Sequence, residues 1–107
     1  MNELTDQQWD AIKVLFPEEE KIKGGRPRAS NRVTLNGVLW IIKTGNQWAM
    51  LPQKYGAHVT AWRRYQEWEV SGLWEKIWQK LLPLMDKKDE IEWTLAFLEG
   101  KFVPSRN

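Results

Sequence analysis

A chain of 107 residues with 42% hydrophobic and 28% charged residues has enough apolar content to bury one core, and too much to stay disordered. With no cysteine and a single histidine, disulfides, thiol nucleophiles and cysteine-bound metal are excluded, and a zinc site has almost no donors. A net charge of +2 does not announce nucleic-acid binding, so the distribution of charge matters more than its total.

The first helix is marked by Thr5 as N-cap, with Gln8 three residues on completing a capping box, and by Leu4 and Trp9 in the positions of a hydrophobic staple. Trp9, Ile12 and Phe16 share a face, and Pro17 closes the segment. Residues 18–32 form a loop that opens on three glutamates. It then becomes basic, with Lys21, Lys23, Arg26, Arg28 and Arg32 uninterrupted by acid, and Gly24, Gly25 and Pro27 disfavour a regular element. Residues 33–43 are apolar nearly all round, which predicts a central buried helix stopped by Gly45; a fully buried strand is the alternative, but polar Thr34 and Asn36 with Gly37 favour a helix packed closely at its glycine.

Residues 46–74 organise the rest of the chain. They read as two short helices, 48–55 and 59–71, joined by a tight turn at Gly56, Ala57 and His58. That is the spacing of a helix-turn-helix, in which the second helix enters the major groove of DNA. A plain helical hairpin in a small bundle has the same local pattern. In the second helix Ala61, Tyr65, Trp68 and Gly72 form the expected inward face, with Thr60, Arg63, Glu67 and Val70 on another and Arg64 at its flank. After Gly72, the residues Trp74, Ile77, Trp78, Leu81, Leu82 and Met85 give an amphipathic helix, with Pro83 in its last turn. Residues 86–92 read as a charged linker. The alternation of Trp93, Leu95 and Phe97 predicts the start of a strand running toward Val103. No apolar run is long enough to span a membrane and the polar N-terminus is no signal peptide, so a cytoplasmic protein with no membrane partner is expected.

Taken together, Leu4-Thr5 with Trp9, Gly24-Gly25-Arg26-Pro27-Arg28, Leu35-Asn36-Gly37, Thr44-Gly45, Trp48, Leu51-Pro52, Tyr55-Gly56, Thr60, Arg64-Tyr65 and Trp68 resemble the N-terminal domain of bacterial insertion-sequence DDE transposases of the IS-four/IS-five superfamily. The resemblance covers roughly residues 4–82 and implies a nucleoid-associated helix-turn-helix that binds the terminal inverted repeats of a transposon. It also implies that the tail corresponds to the first strand of an RNase-H-like catalytic domain, with Glu99 where the first catalytic aspartate would stand and only eight residues after it. Two-metal phosphoryl transfer needs several converging carboxylates, so no catalytic residue, metal site or cofactor is expected here.

The expected fold is all-α, about five helices with a homeodomain-like helix-turn-helix and a short C-terminal β segment. Residues 1–85 would form the DNA-binding domain, and residues 86–107 a linker and truncated strand. The candidate DNA-contacting residues are Arg26, Arg28, Arg32, His58, Thr60, Arg63, Arg64 and Glu67. For Arg63 and Glu67 the alternative is an intrahelical ion pair at i, i+4; for Arg64 it is a partner at the edge of the core. Gly25-Arg26-Pro27 resembles the core of a minor-groove hook, for which a solvated loop is the alternative. Six of the eight tryptophans (Trp9, Trp40, Trp48, Trp68, Trp74 and Trp78) are expected in the core, and Trp62 lies off the inward stripe. The expected partner is double-stranded DNA, with a homodimer and a separate catalytic subunit or frameshift partner as further candidates. The rival readings are a regulator or interaction module that pairs through an exposed strand over residues 93–103, and the first half of a transposase completed by frameshifting.

Overall fold

The computed structural model of the chain describes residues 3–16 and 30–98, with side chains to residue 95. Among the described residues it is all-α, with five α-helices and no strand. Helix α1, Asp6–Ile12, continues as a single 3-10 turn, Lys13–Leu15. Its start is the expected capping box: the Thr5 hydroxyl accepts from the Gln8 amide, and the Gln8 side chain accepts from the Thr5 amide, at 3.1 and 2.9 Å. The Leu4 amide donates to the Asn36 carboxamide oxygen at 2.8 Å, fixing the entry to α1 against the middle of the next helix.

That next helix, α2, is Asn31–Thr44. Ser30 caps it, its hydroxyl accepting from the amides of Arg32 and Val33. Gly45 ends it in the left-handed region at φ 70°, a conformation that glycine adopts without the Cβ penalty. As the apolar pattern required, α2 is central: Leu35, Val38, Leu39 and Ile41 are all buried. Gly37 is where the chain needs the smallest residue. A Cβ there would stand 2.9 Å from the Tyr55 Cβ and 3.3 Å from Leu51 Cδ1, so the segment after α2 lies directly on the helix backbone.

The expected helix over residues 48–55 is not one helix. It is a pair of 3-10 turns, Trp48–Met50 and Gln53–Tyr55, with Leu51 and Pro52 extended between them at ψ 126° and 142°. Pro52 is the cause, because its ring disfavours the helical region for the residue before it. Helix α3, His58–Ser71, follows and packs on α2. Gly72, at φ 81°, ends α3 and at the same time caps α4, Leu73–Leu81. Helix α4 packs against α1 and α3, and a last 3-10 turn, Leu82–Leu84, carries Pro83 near its start.

The C-terminal segment corrects two expectations. Residues 87–98 are neither linker nor strand but helix α5, Lys87–Leu98. Asp86 starts it by accepting from the Asp89 amide at 2.9 Å, and Asp89 and Glu90 lie in its first turn, where carboxylates suit the helix dipole. The apolar alternation over residues 93–98 suggested a strand, but a lone strand has no ladder partner for its amides. In the helix Trp93 instead stacks on Trp78, ring centroids 5.1 Å apart. The remainder of the expected β segment, including Glu99, lies outside the described residues.

The core is aromatic along one line. Trp48, Tyr65, Trp74, Trp78 and Trp93 succeed one another with centroid spacings of 5.1–6.0 Å. The two edge-to-face contacts among them, Tyr65–Trp74 and Trp74–Trp78, add about 0.5–1.5 kcal/mol each beyond area burial. Trp9 and Trp40 are only partly buried against this core, and so is Trp62.

Candidate nucleic-acid interface

Helix α3 is held from within. Its inner stripe is Ala61, Arg64, Tyr65 and Trp68. Trp68 meets Phe16 edge to face at 5.4 Å, tying α3 to the residue that follows the 3-10 turn after α1. Tyr65 donates its hydroxyl to Glu69 at 2.6 Å. Burial, helped by that hydrogen bond and the Glu69 charge, holds the Tyr65 phenol well above the ordinary tyrosine range.

Arg64 is the unexpected member of this stripe. It is only 3% exposed, and its Nη1 donates to Asn31 Oδ1 at 3.3 Å and to Thr34 Oγ1 at 3.1 Å. As a residue reaching outward to DNA it is therefore corrected: the alternative, a partner at the edge of the core, is the one the geometry has. Its burial also turns the helix. With Arg64 inside in place of Gly72, the middle of the outward face is Val59, Arg63, Gln66 and Val70, and Thr60 and Glu67 fall to one flank, about 70–90° round at 100° per residue.

The outward face is open. Arg63, Gln66, Glu67 and Val70 are exposed, Val70 at 88%, while His58, Thr60 and Trp62 are half-buried. Trp62, Arg63, Gln66, Glu67, Val70 and Ser71 line a shallow groove of about 480 Å³. The i, i+4 ion pair between Arg63 and Glu67 is not formed, and the ion pairs present among the described residues lie elsewhere. At the N-terminus of α3 the cap is Ala57, which has no side-chain acceptor for the first amides. His58, Val59 and Thr60 therefore begin the helix with N–H groups turned toward its positive dipole end.

The remaining candidates separate. Arg32 sits in the first turn of α2, not in a loop. Its Nη2 pairs with Asp6 at 2.8 Å and donates to the Leu4 carbonyl at 3.1 Å, so it clamps α1 to α2. Arg26 and Arg28 lie outside the described residues. Near the 3-10 turns, Lys54 and the Tyr55 hydroxyl both bond Glu3 Oε2, at 3.2 and 2.9 Å. The Tyr55 hydrogen bond, followed by that of Lys54, lowers the Glu3 carboxyl below its usual range. Among the described residues no group of three or more His, Asp or Glu side chains is placed to hold a metal, and no helix is long and apolar enough to cross a membrane. The sequence reading passed over Gln66 and Val59; counting a helical wheel with Arg64 inward would have found both.

Residues 4–78 match the family described as "Putative transposase of IS4/5 family (DUF4096)". The chain is 33% identical over 106 residues to the insertion element IS402 uncharacterized 16.2 kDa protein of Burkholderia cepacia, covering 94% of this chain and 71% of that one. It is 32% identical over 92 residues to the uncharacterized protein y4sN of Sinorhizobium fredii, covering 86% and 70%. No solved structure matches. By a match over most of its length and by these relatives, the chain belongs to the IS4/5 transposase family DUF4096, a family of insertion-element proteins.

Proposed function

We propose that this chain binds double-stranded DNA sequence-specifically, as the part of a transposition system that recognises terminal inverted repeats, and that it performs no strand-transfer chemistry of its own. In this reading α3 is the groove-entering helix of a helix-turn-helix, and the two 3-10 turns over residues 48–55 stand in place of its first helix. The observation that carries it is the division of labour on α3: Arg64 is used inside, while the adjacent Arg63 is exposed on the outward face with no ion pair among the described residues. Membership of a family of insertion-element proteins supplies the DNA context. The basic stretch over residues 21–32 would add phosphate anchoring, and a separate catalytic subunit or a frameshift-joined segment would supply the chemistry.

The test is a titration of the chain against duplexes from the ends of the element that encodes it and against random duplex, at two salt concentrations. About six phosphate contacts would lower affinity roughly thousand-fold between about 50 and about 200 mM salt. Arg63→Ala is expected to lose the preference for the element ends while keeping affinity for random duplex. A wild-type chain with no preference for any duplex would refute the reading.

A second reading, self-association through α5, is favoured by Ile91 and Leu95, one turn apart and each 50% exposed. A sedimentation coefficient that rises with concentration and falls back in Ile91→Lys would support it; one independent of concentration would exclude it.

A further inference from the structure

We infer that Gln66 is a base-reading residue of α3 that takes adenine in the major groove, with Arg63 reading a guanine beside it. This rests on the DNA-binding reading above and specifies which side chains carry its specificity.

Val59, Arg63, Gln66 and Val70 recur at i, i+4, i+7 and i+11, which at 100° per residue keeps them within about 60° of one another. They form the centre line of the face opposite Ala61, Arg64, Tyr65 and Trp68. Gln66 is exposed and lines the groove with Arg63 and Val70. The core makes no use of it, because among the described residues its carboxamide has no hydrogen-bond partner, whereas the buried polar side chains of Gln8, Asn36 and Arg64 are all bonded.

Spacing and chemistry then agree. Arg63 and Gln66 are three residues apart, about 4.5 Å along the axis, close to the roughly 3.4 Å step between stacked bases. Both can therefore address neighbouring base pairs in one groove. A glutamine amide offers one acceptor and one donor side by side, which matches the N6 donor and N7 acceptor of adenine; a guanidinium matches the O6 and N7 of guanine. Val70 and Val59, on either side, present methyl groups with no role in the core, at 88% and 44% exposure, of the kind that contact the C5-methyl of thymine. One A·T pair thus offers the adenine edge to Gln66 and the thymine methyl to a valine. Glu67 also lines the groove but lies about 70° from that centre line.

The test uses the whole chain and a duplex pool with a randomised core, selected for binding and then sequenced. Wild type is expected to select an adenine adjacent to, or one pair away from, a guanine. On the selected duplex, replacing that adenine by 7-deazaadenine should weaken wild type and leave Gln66→Ala unaffected. Gln66→Ala should lose roughly five- to 150-fold of the discrimination at that one position and keep its affinity for random duplex. Gln66 is exposed, so the variant is expected to fold, which circular dichroism checks. If wild type selects a sequence but Gln66→Ala selects the same one with the same stringency, the inference is wrong while the DNA-binding reading stands. If wild type selects nothing, both fail.

Discussion

Thr34→Val removes one of the contacts that hold the inward face of α3 against α2. Thr34 is 1% exposed and Arg64 3%, so neither side chain can exchange its partner for bulk water. Valine keeps the shape of threonine and has a similar helix propensity, leaving the loss of one hydroxyl as the main change. That hydroxyl accepts from the Arg64 guanidinium at 3.1 Å. A hydrogen bond to a charged group is worth about 1.5–3 kcal/mol, and here a methyl would face the N–H in its place. The expected destabilisation is about 2 kcal/mol, softened if the bond to Asn31 at 3.3 Å tightens. For a chain of this size that is a fall in melting temperature of about 8–16 °C, read by tryptophan fluorescence or circular dichroism. The paired control is Arg63→Ala, one residue along the same helix but exposed, which should stay within about 0.5 kcal/mol of wild type. A Thr34→Val chain equally close to wild type would show that the guanidinium does not depend on this acceptor.

Gly37→Ala sets two effects against each other: about 1 kcal/mol gained in helix propensity, and about 1–3 kcal/mol lost in forcing a Cβ to within 2.9 Å of the Tyr55 Cβ. Because a Cβ cannot rotate away, the clash should win by about 1 kcal/mol, seen as a lower urea midpoint with an unchanged slope; a stabilised variant would contradict the packing. At Gly45 and Gly72 nothing lies within 4 Å of an added Cβ, so only the positive φ resists substitution. Alanine should cost about 1 kcal/mol at each, asparagine less, and equal melting temperatures for all three residues would show that the left-handed caps do not matter. Tyr65 gives the chain a pH dependence. Burial raises its phenol above the ordinary value of 10.0, so its contribution is complete below that value. It is lost as pH rises from there toward the raised folded pKa, because the unfolded chain ionises first. Stability should therefore fall above about pH 10, less steeply in Tyr65→Phe, and an identical slope in the two chains would place the titration elsewhere.

Features set within a few residues were legible from the sequence. The Thr5–Gln8 box, the left-handed stop at Gly45 and the break at Gly72 are local bargains between a side chain or a φ angle and the nearest amides, and they appear in the structure where the sequence puts them. The central place of α2 was legible too, because a helix apolar on all sides has nowhere else to go. The pair of 3-10 turns was written in Leu51-Pro52 but masked by the apolar spacing of Trp48, Leu51 and Tyr55, which suits a helix equally well.

Tertiary contacts decided the rest. Residues 93–98 alternate like a strand and fold as a helix, since Trp78 offers Trp93 a ring to stack on and no neighbouring strand is present among the described residues to satisfy extended amides. Arg63 and Arg64 are identical letters side by side, and nothing in their immediate neighbours says which one turns inward. The acceptors that claim Arg64 stand 33 and 30 residues away on α2, a distance that no helical period can encode. The sequence alone determined that α3 would be a helix in an insertion-element protein. The fold decided which face of it looks out, because a buried guanidinium must sit where its acceptors are, and that choice brings Arg63 and Gln66 to the surface together.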